Sequence, residues 1–191
     1  MVLKQEAVVS NVNRVMIFAN PIAGRGRGET MARQIESRLL QDGYDVRVIF
    51  KKAADVPDED IVLPCRAAIV IGGDGTLRAT LQRIIEADAL HPVIPVPLGT
   101  ANMMAKYLKI SFSDEDLASR IAEAVKAPRV VPLDAGRANG QLFIQVAGVG
   151  FDAYLIKHLH RRRSGPITPF SYAIPSLLAL HEYQPLPIRQ L

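Results

Sequence analysis

Short apolar runs alternate with helical patterns along the first two thirds of the chain. Residues 14–19, 46–50, 67–71 and 93–96 are largely apolar and have the length of buried strands. Between and after these runs, apolar side chains recur at the spacing of one helix face. The helical positions are Met31, Ile35 and Leu39, then Leu77, Leu81, Ile84 and Ile85, then Leu117, Ile121 and Val125. Strands that alternate with helices through short turns predict an α/β fold, with a parallel sheet covered on both faces.

The pattern changes to that of a β-hairpin near residue 128. Residues 130–137 and 141–148 flank Asn139-Gly140, a pair that is typical of two-residue hairpin turns. The sequence therefore predicts antiparallel pairing in this part of the chain, unlike the parallel arrangement before it.

The change in pattern also predicts where one domain ends and the next begins. We expect an α/β domain over residues 1–128, followed over residues 129–191 by the start of a β-rich second domain. Within this second part, residues 151–160 and 171–182 favour helices.

Composition describes an ordinary globular protein. The chain has 191 residues, of which 49% are hydrophobic and 22% charged, and a net charge of +4 is too small to indicate a nucleic-acid partner. Cys65 is the only cysteine, which favours a reducing compartment and a small buried side chain. The first ten residues lack the apolar core of a signal peptide, so we expect a cytoplasmic protein. The four histidines lack metal-ligand spacing and are expected to be structural.

The third apolar run ends in a glycine-rich turn, Gly72-Gly73-Asp74-Gly75-Thr76, and helical spacing starts immediately after it. A strand that turns through glycines into a helix exposes backbone N–H groups and a positive helix end, which together suit a phosphate. Thr76 could cap the helix or contact a phosphate oxygen. Asp74 would repel a phosphate, so it is expected to meet Mg²⁺ or the hydroxyl that attacks the phosphorus. The alternative is a plain turn in which Asp74 is only a cap.

Two further glycine segments follow strands. Asn20-Pro21 and residues 22–28 (IAGRGRG) come after the first strand and are interpreted as a second loop facing phosphate, or else as a solvated turn. Residues 97–102 (PLGTAN) come after the fourth strand and open a helix. Neither segment matches the dinucleotide-binding fingerprint or the P-loop. We call residues 20–28, 72–76 and 97–102 the first, second and third glycine motifs. Because each follows a parallel strand, all three are predicted to meet at one edge of the sheet.

The three motifs, in this order, resemble those of the lipid kinase family typified by diacylglycerol kinase catalytic domains and sphingosine kinases. Residues 131–137 (VPLDAGR) and 143–153 resemble the start of that family's second domain. A GGDGT turn alone is less specific, because NAD kinases and phosphofructokinases carry similar turns. The resemblance implies a nucleotide-binding α/β domain of the NAD kinase and diacylglycerol kinase type, followed by a β-sandwich.

The resemblance also implies an activity in lipid metabolism. It implies an ATP- and Mg²⁺-dependent kinase that transfers the γ-phosphoryl group to a lipid hydroxyl, on diacylglycerol or a related lipid. Asp74 would be the catalytic residue, and the resemblance assigns no metal ligands. The residues expected to bind the nucleotide are Asn20, Pro21, Gly24, Gly72, Gly73, Asp74, Gly75, Thr76, Arg78, Gly99, Thr100 and Asn102.

Three departures from the family pattern keep an alternative open. Arg78-Ala79 stands where the family usually has Asn-Glu, and Lys51-Lys52 stands where a threonine often touches ATP. The family's second domain, with the carboxylate thought to act as general base, extends beyond residue 191. The alternative is a nucleotide-binding but catalytically inactive fragment or remnant of such a kinase. We then expect negligible lipid phosphorylation. We also expect either self-association through open strand edges, as in a homo-oligomer, or a mobile region after about residue 128.

A basic cluster lies in the last part of the chain. Arg161, Arg162 and Arg163 follow a predicted helix and stand close to apolar residues in the sequence. They are interpreted either as a peripheral contact with an anionic membrane or as a solvated helix end.

Overall fold

The computed structural model describes residues 12–21, 23–89, 91–113, 115–161 and 183. The chain divides into two compact units, residues 1–144 and residues 145–191. The β-hairpin expected in the second part of the chain therefore belongs to the first unit. The predicted domain boundary near residue 128 stays a prediction.

The first unit is built on a parallel sheet. Its four strands are β1 (Arg14–Ala19), β2 (Asp45–Ile49), β3 (Ala67–Gly72) and β4 (Val93–Pro97), in the order β2-β1-β3-β4. All three pairings are parallel. Every residue of β3 is buried, as expected for a central strand covered on both faces. The predicted α/β class is confirmed.

Helices cover both faces of this sheet. They are α1 (Ala23–Gln41), α2 (Asp58–Ile61), α3 (Asp74–Glu86), α4 (Met103–Tyr107) and α5 (Leu117–Lys126), with a 3-10 turn at Ala53–Asp55. One core lies under α1 and α5, and the other lies under α2, α3 and α4. The residues of the first core include Ile35, Leu39, Ile69, Ile121 and Val125, and those of the second include Met16, Val70, Leu77 and Ile84.

Strand β4 tolerates a proline because it lies at the sheet edge. Pro95 is paired in register with Val70 of β3, and β4 is last in the strand order. An edge strand needs main-chain hydrogen bonds on one side only, so the N–H that proline lacks is not required.

The predicted loop over residues 22–28 is wrong, because α1 already begins at Ala23. The N–H of Ala23 donates to the Asn20 carbonyl at 3.0 Å and starts the first turn. Gly24 and Gly26 have φ of +58° and +90°, so this turn is irregular and depends on glycine. A Cβ on Gly28 would collide with the Asn20 carbonyl oxygen. These glycines therefore allow a helix to start close against the end of β1.

The hairpin predicted around Asn139-Gly140 is present but short. It pairs β5 (Gly136–Ala138) with β6 (Gln141–Phe143) in antiparallel register. Asn139 and Gly140 have φ of +48° and +77°, as a type I′ turn requires.

The second unit contains α6 (Phe151–Arg161), which confirms the helix predicted there. The helix predicted over residues 171–182 lies outside the described residues. None of the helices in the described ranges is long and apolar enough to cross a membrane.

Cys65 and His91 have the structural roles expected of them. Cys65 is 6% exposed, and its burial raises the pKa of the thiol to about 12 against opposing contributions from the Met16 backbone and the Arg14 charge. A ring nitrogen of His91 lies 2.7 Å from the Ile61 carbonyl oxygen. His158, His160 and His181 lie among residues whose side chains are not described.

We expect iodoacetamide to alkylate Cys65 on the order of a thousandfold more slowly in the folded chain than in guanidinium chloride at pH 8, because only the thiolate reacts and the raised pKa lowers its fraction. The thiol ionises near pH 9.0 when unfolded and near pH 12 when folded, so this group lowers the free energy of unfolding as pH rises through that window. Equal alkylation rates in the two states would contradict the burial.

Candidate functional site

The candidate site lies where the direction of the sheet connections changes. Strands β1 and β3 are neighbours, but the chain leaves β1 toward β2 on one side and leaves β3 toward β4 on the other. The N–H of Asn20, just after β1, donates to the Ile71 carbonyl near the end of β3 at 3.1 Å. A switch of this kind leaves a crevice at the carboxyl ends of the strands, where α/β proteins bind ligands.

The second glycine motif places backbone donors at this switch point. Helix α3 begins at Asp74, and the N–H of Leu77 makes its first intrahelical bond, to the Gly73 carbonyl at 3.0 Å. The N–H groups of Asp74, Gly75 and Thr76 precede that bond and have no acceptor inside the helix. The N-cap residue, Gly73, has no side chain to accept from these donors, so they and the positive helix end are available to an anion.

Thr76 folds back over the start of its own motif. A Cβ on Gly72 would lie 2.7 Å from both the Cβ and the Oγ1 of Thr76. The Thr76 side chain therefore lies against Gly72, and its role as a cap of α3 stays a prediction. Its contact with a phosphate oxygen stays a prediction.

The third glycine motif lies directly against the second. The N–H of Leu98 donates to the Gly72 carbonyl at 2.9 Å, which extends the pairing of β3 with β4. A Cβ on Gly99 would lie 2.6 Å from the Cα of Gly73, so the two backbones touch where both residues lack side chains.

Asn102 closes the third motif on itself. Its Oδ1 accepts from the Gly99 N–H at 2.9 Å, and its Nδ2 donates to the Gly99 carbonyl at 2.8 Å. Asn102 has φ of +48°, a left-handed conformation that asparagine tolerates better than most residues.

The Asp74 carboxylate connects the second and third motifs. Its Oδ2 accepts from the Met103 N–H at 3.0 Å, and its Oδ1 accepts from the Met104 N–H at 3.1 Å. Asp74 is thus a cap, as the alternative interpretation held, but it caps α4 instead of its own helix. Its catalytic role stays a prediction.

The first glycine motif completes the arrangement. Asn20 and Pro21 follow β1, and a Cβ on Gly24 would collide with the Leu98 side chain at the start of the third motif. All three motifs are therefore in contact at one edge of the sheet, as the sequence predicted.

Arg78 and Thr100 were also predicted to belong to the site. Arg78 donates to Gln82 at 3.2 Å, so its guanidinium lies along α3 toward the following turn. Thr100 is exposed beside Gly99. The nucleotide contacts proposed for both stay predictions.

The main-chain donors of Met103 and Met104 were missed from the sequence. Asn102 preceding a helical segment was the available signal, because asparagine is a frequent N-cap and the donors of a first helical turn need acceptors. No sequence pattern indicated that Asp74, which is distant along the chain, would be the acceptor.

Comparison with known proteins identifies the family. The family model for the diacylglycerol kinase catalytic domain matches residues 14–138, which include all three motifs. The chain belongs to the diacylglycerol kinase catalytic domain family.

Individual relatives are lipid kinases by name. "Probable lipid kinase YegS-like" from Klebsiella pneumoniae (strain 342) is 30% identical over 167 residues, covering 85% of this chain and 55% of that protein. "Diacylglycerol kinase" from Bacillus subtilis (strain 168) is 26% identical over 171 residues, covering 87% of this chain and 50% of that protein. The chain thus spans about half the length of these relatives.

A solved structure shows the same fold. The crystal structure of a diacylglycerol kinase from Bacillus anthracis str. Sterne aligns with a TM-score of 0.61 and 25% identity. The alignment covers 80% of this chain and 54% of that one.

The second and third motifs pack closely against each other. The space lined by Gly72, Gly73, Asp74, Pro97 and Asn102 is about 10 Å³. A larger open groove of about 860 Å³ runs along α1 and α5 and is lined by neither the second nor the third motif.

We expect Gly99→Ala to lower the free energy of unfolding by about 1–3 kcal/mol, measured by urea denaturation. The new Cβ would lie 2.6 Å from the Gly73 Cα and 2.8 Å from the Asn102 Oδ1, so the motifs must move apart.

The matched control is Gly75→Ala in the second motif. A Cβ on Gly75 meets no atom within 4 Å in the described part of the chain. Alanine also favours a helix over glycine by up to about 1 kcal/mol, so this variant should be as stable as the parent or more stable. Similar losses in both variants would show that the contact between Gly73 and Gly99 is not the constraint.

Proposed function

We propose that this chain binds ATP on the open edge of its three glycine motifs, as the nucleotide-binding part of a lipid kinase. The whole protein would transfer the γ-phosphoryl group of ATP to the hydroxyl of diacylglycerol or a related lipid. The observation that carries the proposal is the set of N–H donors on Asp74, Gly75 and Thr76 at the switch point between β1 and β3.

Backbone donors of this kind match what phosphoryl transfer needs. The phosphates of ATP are strong acceptors, and the positive end of α3 favours their charge. Gly73 and Gly75 have no Cβ to hold a phosphate away from the main chain. Asn20 and Thr100, in the neighbouring motifs, would lie beside the same phosphates. Catalysis of phosphoryl transfer is mostly positioning and charge stabilisation, which fixed backbone donors supply.

The described residues do not form a magnesium site by themselves. Within the described ranges there is no group of three or more histidine, cysteine, aspartate or glutamate side chains close enough to hold a metal ion. Both oxygens of Asp74, the acidic residue of the second motif, already accept main-chain hydrogen bonds. Mg²⁺ commonly binds through substrate phosphates and water, so in this proposal it arrives with ATP.

Membership of a family of kinases does not favour the alternative of an inactive remnant. The two relatives described above are named as lipid kinases, and each matches at least 85% of this chain. Nucleotide binding and phosphoryl transfer are nevertheless separable, so the experiment measures both.

We expect calorimetric titration to show ATP binding that Gly75→Val weakens by at least about tenfold. The position is open, so valine should fit the fold, but its side chain would occupy the space that a phosphate needs. The control is Ala127→Val, which adds similar bulk at an exposed residue at the end of α5. Arg66, just before β3, donates to the carbonyls of Val125 and Lys126, so Ala127 lies toward the opposite edge of the sheet.

Folded parent chain that releases no heat with ATP would overturn the proposal. Label passing from γ-labelled ATP to diacylglycerol in detergent micelles tests the proposal for the whole protein. ATP binding without any transfer to lipid would support the inactive alternative.

We also propose that the protein is cytoplasmic and reaches its lipid through a peripheral membrane contact at Arg161, Arg162 and Arg163. The side chains of these residues lie outside the described part of the structure. Each arginine near an anionic surface contributes about 1 kcal/mol, so replacing all three with alanine should greatly reduce co-sedimentation with acidic vesicles. The triple lysine variant is the matched control and should retain binding. Binding that ignores lipid charge and salt concentration would contradict an electrostatic contact.

A further inference from the structure

The Asp74 carboxylate is already bound to the main chain of another element. Its two oxygens accept hydrogen bonds from the first two residues of α4, Met103 at 3.0 Å and Met104 at 3.1 Å. The first N–H groups of a helix have no acceptor within it, so these bonds satisfy donors that the fold leaves free.

These two bonds are part of the contact between the second glycine motif and the segment formed by the third motif and α4. Just before Asp74, Gly73 touches Gly99 through the main chain, and the N–H of Leu98 donates to the Gly72 carbonyl at 2.9 Å. The glycine contact permits the second and third motifs to approach each other. The Asp74 carboxylate reaches past Asn102 and accepts hydrogen bonds from the start of α4.

The arrangement also accounts for a negative charge beside a phosphate site. A free carboxylate there would repel the nucleotide, whereas one that accepts two N–H bonds has its charge stabilised by the protein. Oxygens committed to two amides also have fewer lone pairs left for a metal ion.

We infer that Asp74 is a positioning residue that acts through the third glycine motif, holding residues 99–104 against the second motif so that both face the nucleotide. This inference rests on the proposed function. It differs from the role expected from the sequence, in which Asp74 meets Mg²⁺ or the attacking hydroxyl.

The first test is hydrogen exchange of individual amides, measured by NMR without nucleotide. In Asp74→Ala the Met103 and Met104 amides should exchange at least about tenfold faster, because they lose their acceptor. The Asn20 amide, bonded to the Ile71 carbonyl, serves as an internal reference and should not change. Asp55→Ala, which removes an exposed carboxylate from the 3-10 turn, is the matched control. Unchanged exchange at Met103 and Met104 would overturn the inference.

The second test is the dependence of ATP affinity on Mg²⁺. A positioning role predicts that Asp74→Ala weakens ATP by the same factor, on the order of tenfold, with Mg²⁺ and with a chelator. Asp74→Asn keeps one acceptor oxygen, so it should bind ATP more tightly than Asp74→Ala both with Mg²⁺ and with a chelator. The asparagine variant replaces the alanine variant in this test if the latter does not fold. A loss confined to the Mg²⁺ titration would show that Asp74 is a metal ligand and would overturn the inference.

The two proposals can fail separately. A folded parent chain that binds no ATP overturns the proposed function, while the exchange of the Met103 and Met104 amides still shows whether Asp74 holds the two motifs together.

Discussion

The candidate site depends on one close approach, the main-chain contact between Gly73 and Gly99. A Cβ on Gly99 would lie 2.6 Å from the Gly73 Cα, which is closer than a Cβ approaches another carbon atom in proteins, so residue 99 must lack a side chain at this separation. This contact brings the turn after β3 against the turn after β4. The bonds from Met103 and Met104 to Asp74 join the same two segments of the chain. The glycines of both motifs are therefore needed for packing as well as for access to a ligand.

The hydrophobic cores bring the motifs to that separation. Strands β1 and β3 pair in parallel along their length, and helices cover them on both faces. Burial of these strands stabilises the sheet, and the sheet fixes which loops share an edge. The Asn20 N–H bond to Ile71 and the Leu98 N–H bond to Gly72 continue the strand pairing into the motifs themselves. Packing energy far from the site thus determines the geometry of its backbone donors.

Sequence patterns could predict the sheet and the meeting of the motifs, because apolar runs and their order determine both. They could not predict the start of α1. Glycines at 24, 26 and 28 favour a loop by local preference, but Gly28 is needed where a helix passes close to the Asn20 carbonyl. That requirement comes from a tertiary contact. The hydrogen-bond partners of Asp74 could not be predicted from the sequence either, because Met103 and Met104 lie far along the chain and donate through main-chain atoms.

The N-termini of α3 and α4 both lie at this edge of the sheet, and they differ in whether a side chain accepts from their first N–H groups. The start of α4 is satisfied internally, because Asp74 accepts from its first two N–H groups. The N-cap of α3 is Gly73, which has no side chain to accept a hydrogen bond, and the N–H groups of Asp74, Gly75 and Thr76 have no acceptor within the helix. A residue that begins one helix therefore neutralises the end of the other. The Asp74 carboxylate is compatible with a neighbouring anion site because its oxygens accept hydrogen bonds from the positive end of α4. The positive end of the longer helix, α3, then remains available to a ligand.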